Sequence, residues 1–195
     1  GKGTQAKFLS EELKIPRLSI GQLYRDHIKK QTEFGKQAEK YVKRGDLVPL
    51  RITKNLLIEE LSRPKYKKGL ILDGFPRNKE QYKFLQKIME VDYVIFIDIP
   101  QYETIKRLSG RRVCSVCGET YNINIDKSKN MKCKKCGGKL IRRKDDSPKA
   151  IKERLKIYHE ETLPVIEEFK KNNKLIKING KQSIREVHWD IVKAL

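Results

Sequence analysis

Apolar residues follow two different spacings along this chain, and each spacing predicts a different element. Short continuous apolar runs are typical of buried strands in a parallel sheet, and they occur at 69–74, 93–99 and 175–178, with a shorter extended piece at 18–20. Apolar positions at helical spacing predict helices over roughly 5–13, 21–31, 36–44, 52–62 and 149–171. Pro164 should kink or divide the last helix. Because strands and helices alternate, the predicted class is α/β with a parallel sheet.

This pattern stops between Arg112 and Arg143, where two close pairs of cysteines appear. The spacing Cys114-x2-Cys117-x15-Cys133-x2-Cys136 is typical of a structural zinc site with four thiolate ligands and no open coordination position. Two disulfides would require an oxidising compartment, which nothing else in the sequence supports, and a zinc ribbon that binds nucleic acid is a further alternative. We therefore predict an inserted, zinc-binding module at 112–143.

The net positive charge of the chain limits the classes of partner that it is expected to bind. Forty-five Lys and Arg residues against twenty-five Asp and Glu residues give a formal charge of +20, which suits nucleotides, nucleic acid or an acidic surface. The basic residues are spread along the whole chain, so nucleic-acid binding is not favoured. No apolar run approaches the roughly 20 residues that span a bilayer, and the first residues lack the apolar segment of a secretory signal. We expect a cytoplasmic monomer with no membrane partner.

Two segments carry candidate phosphate chemistry. Gly1-Lys2-Gly3-Thr4 matches the second half of a GxxxxGK[ST] phosphate-binding loop, although a flexible amino terminus explains the match equally well on its own. The segment DGFPR at 73–77 follows a predicted strand, at the sheet edge where open α/β folds bind ligands. There Asp73 can hold Mg²⁺ through water, and Arg77 can grip a phosphate bidentately.

Five motifs resemble those of the adenylate kinase family and occur in the family's order: GKGT, SxGxLxR at 19–25, DGFPR, GRR at 110–112 and RxDD at 143–146. The resemblance implies a P-loop nucleoside monophosphate kinase with a central parallel sheet flanked by helices. Its core would be 1–111 and 144–195, with an AMP-binding segment at 19–48 and a zinc-bound lid at 112–143. The implied reaction is reversible, Mg²⁺-dependent phosphoryl transfer from ATP to AMP, giving two ADP, and the zinc would be structural.

The resemblance also assigns roles to individual residues. Catalysis by positioning and charge neutralisation would rest on Lys2, Asp73, Arg77, Arg111, Arg143 and Arg154. ATP would contact Gly1, Lys2, Gly3, Thr4, Arg107, Arg111, Thr120, Tyr121 and Gln182. AMP would contact Ile20, Arg25, Asp46, Leu47, Val48, Gly74, Phe75, Pro76, Arg77, Gln81, Arg143 and Arg154. Arg107, one helical turn before Arg111 and on the same helix face, would stack on the ATP base.

The choice of acceptor rests mainly on Gln81, four residues after Arg77 and therefore on the same helix face. Its carboxamide can pair with an adenine edge, whereas the similar uridylate and cytidylate kinases are expected to have Asn there. Taken alone, an exposed helix Gln explains it too. Ile20 and Gln22 depart from the family's usual Thr and Asp, which removes a hydroxyl near the acceptor base and a carboxylate near the magnesium waters.

Two alternatives to AMP phosphorylation remain at this stage. One is a UMP/CMP kinase or another nucleoside monophosphate kinase, and the other is a nucleic-acid-binding zinc protein on a degenerate kinase fold. The sequence opens at the second glycine of its loop pattern, so we also expect about ten further residues before Gly1, forming a strand and the first loop glycine.

Overall fold

The computed structural model describes residues 1–125 and 131–195. The helices are α1 Lys2–Leu13, α2 Ile20–Lys29, α3 Glu33–Arg44, α4 Leu50–Leu61, α5 Lys79–Ile88, α6 Gln101–Ser109, α7 Pro148–Ile157, α8 Leu163–Lys171 and α9 Ile184–Ala194. The strands are β1 Arg17–Ser19, β2 Ile71–Asp73, β3 Val94–Asp98, β4 Arg111–Cys114, β5 Thr120–Asn122, β6 Leu140–Ile141 and β7 Leu175–Asn179. Short 3₁₀ turns lie at Pro64–Tyr66 and Lys144–Asp146.

The parallel strands form two pairs within the described ranges. Strand β1 pairs with β2, with Leu18 opposite Leu72, and β3 pairs with β7, with Phe96 opposite Lys177. The apolar runs predict buried strands, yet every residue of β2 and β3 is only half-buried. The reason is that each of these strands has a hydrogen-bonded neighbour on one edge only in the described part of the chain.

A three-stranded antiparallel sheet, in the order β5-β4-β6, carries the cysteine module. It begins at Arg111, directly after the end of α6, and contains a small core of Cys114, Cys133 and Leu140 with Tyr121 packed against it. This core is too small to hold a lobe together by apolar burial alone. The inserted module predicted at 112–143 overlaps this sheet, which runs from Arg111 to Ile141.

Besides a small cluster of Tyr82, Val165 and Phe169 between α5 and α8, two apolar clusters hold the rest of the described chain together. The larger joins α2, α3, α4 and α5 to β1 and β2, and its buried members are Leu18, Ile20, Tyr24, Ala38, Val48, Leu56, Leu57, Tyr66, Phe75, Phe84 and Leu85. The second joins α1 and α9 to β7 through Leu9, Ile178, Val187 and Ile191. Across the described residues, we find no helix with the length and apolar character needed to cross a membrane.

Capping residues in the sequence explain where α5 and α7 begin. Asn78 caps α5, with its side chain accepting from the Gln81 N–H at 2.9 Å, so α5 starts directly after the DGFPR segment. Ser147 caps α7 in the same way, accepting from the Ala150 N–H at 3.2 Å, with Pro148 at the first helical position. These caps place both helices directly after candidate site segments.

The structure confirms one helix prediction and corrects another. A π-helical turn at Tyr158–Thr162 separates α7 from α8, and Pro164 lies at the start of α8, so the predicted long helix is divided as expected. Trp189 and its flanking apolar residues are predicted to pack α9 onto the sheet; Val187 and Ile191 do so, but the prediction for Trp189 meets a side chain that is 69% exposed. That prediction is wrong because Val187 and Ile191 form the buried face of α9, and a residue two positions from Val187 projects to the other side.

Candidate active site and metal centre

The candidate active site begins at the amino end of α1, where N–H groups of the first turn point out of the helix. Arg17 supports this turn by donating from Nη1 to the Gly3 carbonyl at 2.6 Å. Asp73, at the end of β2, lies beside it, because a Cβ placed on Gly3 would be 3.6 Å from Asp73 Oδ2. The phosphate-loop match and the carboxylate of DGFPR therefore meet at one point.

Six cationic side chains from separate parts of the chain act on one another around this point: Lys2, Arg25, Arg77, Arg111, Arg143 and Arg154. The Lys2 side chain as a whole is exposed to solvent, although its ammonium group lies among protein atoms. That burial, followed by repulsion from Arg77, lowers the pKa of Lys2 to about 8, while Asp73 acts in the opposite direction. We call these six residues the cation cluster.

Two arginines of the cation cluster, Arg143 and Arg154, have lowered pKa values for the same reasons. Burial, followed by the charge of Arg111, lowers the pKa of Arg143 to about 10 and that of Arg154 to about 10. Each pKa falls because the charged form loses solvent and meets like charges. A polyanion placed among these side chains would relieve both effects, so the cluster is an anion-binding arrangement.

Two adjacent carboxylates organise the arginines. Asp146 is fully buried and accepts from Arg111 Nε at 2.7 Å, from Arg111 Nη2, and from Arg154 Nη1 at 3.2 Å. Asp145 Oδ2 lies 3.5 Å from Arg154 Nη1 and 3.9 Å from Arg25 Nη1. The pair thus connects cations from α2, β4 and α7. Sequence reasoning gave neither carboxylate a role, although the RxDD motif already marked both positions.

Arg77 is positioned by the backbone on either side of it. Its Nε donates to the Gly74 carbonyl at 2.8 Å, and its own carbonyl accepts from the Thr162 hydroxyl at 2.8 Å. Gly74 has φ +87°, and a Cβ there would be 3.0 Å from Arg77 Nη2, so only glycine fits easily beneath the guanidinium. Gln81 is buried, and its Oε1 accepts from the Arg77 N–H at 2.8 Å. That bond leaves Nε2 as the end of the carboxamide available to a ligand.

The remaining residues assigned to AMP lie near the larger apolar cluster. Ile20, Val48 and Phe75 are buried members of it, whereas Asp46, Leu47, Gly74 and Pro76 are half-buried. The backbone is close-packed here, since Gly45 has φ +87° and a Cβ on it would lie 2.6 Å from the Ala150 carbonyl oxygen of α7. The segment therefore offers an apolar wall below the cation cluster.

The structure corrects the shared helix face of Arg107 and Arg111. Helix α6 ends at Ser109, and Arg111 begins β4, because a turn at Gly110 separates the two elements. Arg107 donates to Glu103 Oε1 at 2.8 Å and to the Gly180 carbonyl at 3.0 Å, next to the loop that carries Gln182. Gln182 itself donates from Nε2 to Asp190 at 2.9 Å.

The two lid residues expected at ATP have different surroundings. Thr120 accepts from Arg143 Nη2 at 3.2 Å, which brings it to the cation cluster. Tyr121 instead has its hydroxyl 3.3 Å from Cys133 Sγ, where it also accepts from the Lys134 N–H at 3.0 Å. Beside Thr120, Glu119 pairs with Lys7 of α1 at 3.3 Å.

The four cysteines come together in the antiparallel module. Their Sγ atoms all lie within 4.8 Å of one another, with Cys114 and Cys136 at 3.4 Å and Cys117 and Cys133 at 3.6 Å. All four are free thiols, so the disulfide alternative is not realised here. N–H groups of Val116 and Cys117 point at Cys114 Sγ at 3.4 and 3.5 Å, which favours a thiolate. Four sulfurs at these separations fit a tetrahedral zinc ion.

A cleft that gathers six cations beside a carboxylate suits the transfer of a phosphoryl group between nucleotides, so fold and site define a nucleotide phosphotransferase. The family model described as adenylate kinase matches residues 1–174. The adenylate kinase of Methanocella arvoryzae is 46% identical over 202 residues, covering 100% of this chain and 93% of that protein. That of Thermosipho africanus is 41% identical over 201 residues, covering 100% and 94%, and that of Acetivibrio thermocellus is 40% identical over 202 residues, covering 100% and 93%. The chain belongs to the adenylate kinase family.

Proposed function

We propose that the cation cluster performs the family's reaction, in which ATP passes a phosphoryl group to AMP and two ADP are formed. The observation that carries this proposal is the convergence of six cations on the amino end of α1. Phosphoryl transfer spreads negative charge over the transferring group, so fixed cations stabilise its transition state without covalent chemistry. The chain is thus a phosphotransferase whose catalysis is electrostatic and positional.

The donor nucleotide is proposed to lie along α1. Lys2 and the N–H groups after Gly1 would hold its phosphates, with Thr120 closing from the lid side. Arg107, held by Glu103 and the Gly180 carbonyl, would meet the base next to Gln182. This arrangement is supported by the position of Asp73 against the same turn of α1.

Mg²⁺ is proposed to bind next to the first turn of α1, between the oxygen groups of Thr4 and Asp73. Asp73 takes part in no ion pair among the described residues, and together with the Thr4 hydroxyl it offers the hard oxygen ligands that Mg²⁺ prefers. When bound with ATP, the ion neutralises phosphate charge and orients the phosphates. Asp73 and Thr4 are the residues proposed to hold it, directly or through water.

The acceptor is proposed to be AMP. Arg25 and Arg77 would hold its phosphate, and the apolar wall of Ile20, Val48 and Phe75 would face its base. Gln81 presents Nε2 as a donor because its oxygen is already bonded to the Arg77 N–H. That donor can pair with a ring nitrogen of adenine and equally with an acceptor of a pyrimidine, so the choice of AMP rests on the family's reaction and not on this hydrogen bond.

Residues 112–143 are proposed to form a lid stabilised by one structural zinc ion. Arg111, Arg143 and Arg154 would close over the transferring group, and the zinc would have no part in the chemistry because four thiolates leave it no open position. Four clustered free thiols support a reducing compartment, and hence the cytoplasm. The protein is proposed to act as a monomer.

Acceptor profiling tests this function. ADP formation from ATP should be fastest with AMP among AMP, UMP, CMP and GMP, and a clear preference for UMP or CMP would refute the assignment of AMP as the acceptor.

The role of Arg77 is tested by substitution. Arg77→Ala should lower kcat/KM by about 10²- to 10³-fold while the protein stays folded. Arg185→Ala, which truncates an exposed arginine of α9, serves as the matched control and should leave activity unchanged.

A further inference from the structure

We propose that Gln22 is a positioning residue that holds the Arg25 guanidinium for the acceptor phosphate without neutralising it. The proposal rests on the phosphate-binding role proposed above for Arg25. It concerns a position at which this chain departs from the family's usual Asp, so the role does not follow from the family pattern.

The contacts on α2 carry the argument. Gln22 Oε1 accepts from Arg25 Nη2 at 3.0 Å and from Arg25 Nε at 3.3 Å, so one oxygen holds one edge of the guanidinium. The other terminal nitrogen, Nη1, lies over Gly21, where a Cβ would be 3.3 Å away. That nitrogen points toward Asp145, 3.9 Å distant. The guanidinium is thus held on one edge by the Gln22 amide, while its other edge faces Asp145 across 3.9 Å.

Asp26 determines which end of the Gln22 amide faces Arg25. Gln22 Nε2 donates to Asp26 Oδ1 at 2.7 Å, and a carboxylate can only accept at that position. The amide oxygen must therefore turn toward Arg25. Gln22 thus acts as a neutral link between a carboxylate and a guanidinium.

The charge balance around Arg25 shows why a neutral partner matters. Burial lowers the pKa of Arg25, and Arg111 lowers it further, while Asp145, Asp26 and Asp146 raise it. No close carboxylate is paired with Arg25 at hydrogen-bond distance within the described residues, since its closest contact with one, to Asp145, is 3.9 Å. The guanidinium therefore keeps charge available for an incoming phosphate. A glutamate at position 22, with the same side-chain length as Gln, would put a charged oxygen where the Gln22 amide oxygen now meets Arg25, and it would compete with the phosphate.

Steady-state kinetics of two variants test the role. Gln22→Met keeps the length of the side chain but removes all three of its hydrogen bonds, the two to Arg25 and the one to Asp26, and it should raise KM for AMP about fivefold. Gln22→Glu should raise it about tenfold or more, because the introduced carboxylate would form an ion pair with Arg25. KM for ATP and the melting temperature should stay near the parent values in both. Gln101→Glu, the same change at the exposed first residue of α6 and outside the AMP-binding segment, is the control for added charge.

A double-mutant cycle separates this proposal from the function on which it rests. In an Arg25→Ala background, Gln22→Met should have no further effect on KM for AMP, because the side chain that it positions is gone. If Arg25→Ala raises KM for AMP but both Gln22 variants stay within about twofold of the parent, the positioning role is refuted. A parallel loss of ATP affinity and thermal stability in the Gln22 variants would also refute it, in favour of a structural role. If Arg25→Ala itself leaves KM for AMP unchanged, the phosphate assignment of Arg25 fails instead.

Discussion

The buried carboxylate of Asp146 makes the sharpest prediction about how this site is held together. It is fully buried and pairs with Arg111 and Arg154, whose side chains are 18% and 22% exposed. Asp146→Asn keeps the volume but removes the charge and turns an amide donor toward a guanidinium. Removing one member of such a buried pair costs about 3–5 kcal/mol, and partial exposure of the arginines favours the lower end. Against a total stability of about 5–15 kcal/mol, this is a large fraction.

Two measurements should register the change. At about 2–4 °C per kcal/mol for a domain of this size, the melting temperature should fall by about 6–12 °C. Because Arg111 and Arg154 lose their common anchor, kcat should fall about 10²-fold at a temperature where the variant is folded. Circular dichroism melting and a coupled assay of ADP formation measure the two effects separately.

Asp98→Asn is the matched control for this experiment. Asp98 pairs with Lys177 at 2.9 Å on the surface, so the same chemical change there should cost no more than about 1 kcal/mol and leave kcat unchanged. An Asp146→Asn protein that melts like the Asp98→Asn protein and keeps its kcat would show that the two arginines are positioned without this carboxylate.

Four further predictions follow: two concern the protonation of Lys2, one the zinc ion and one the glycine at position 45. The pKa of Lys2 is lowered from 10.5 to about 8, so kcat/KM for ATP should fall as pH rises through about 8, and Lys2→Arg should move that fall to higher pH. The same shift has the opposite sign for stability: the nucleotide-free protein should become more stable between about pH 8 and 10.5, where the unfolded chain binds the proton more tightly, and urea unfolding measures this. Protein purified under reducing conditions should carry one zinc ion per chain by elemental analysis, and chelation or Cys133→Ser should lower its melting temperature; absence of metal or two intact disulfides would contradict the site. Gly45→Ala should cost about 2–4 kcal/mol by thermal unfolding, more than Gly69→Ala, because both glycines have positive φ but only Gly45 lies against another backbone, the Ala150 carbonyl.

The sequence alone predicted most of the regular elements and marked the segments that carry the candidate chemistry. Apolar spacing predicted the parallel strands and most helices, because burial of one face imposes a period on the chain whatever its partner is. The paired cysteines predicted their own cluster, since four thiolates at that spacing have few other uses in a reducing compartment. Pro164 predicted a break, and the chain does pass through a π-helical turn just before it.

Only the tertiary structure decided which side chains hold the site in place. No spacing in the sequence points from Asp146 to its partner Arg111, 35 residues earlier, and the pair could be recognised only from distances. Trp189 shows that apolar character alone does not predict burial. Val187 and Ile191 form the buried face of α9, so Trp189 lies on the opposite face and is exposed to solvent. Burial and charge pairing depend on what the folded chain brings within a few ångströms, and residues 111 and 146 become neighbours only after folding.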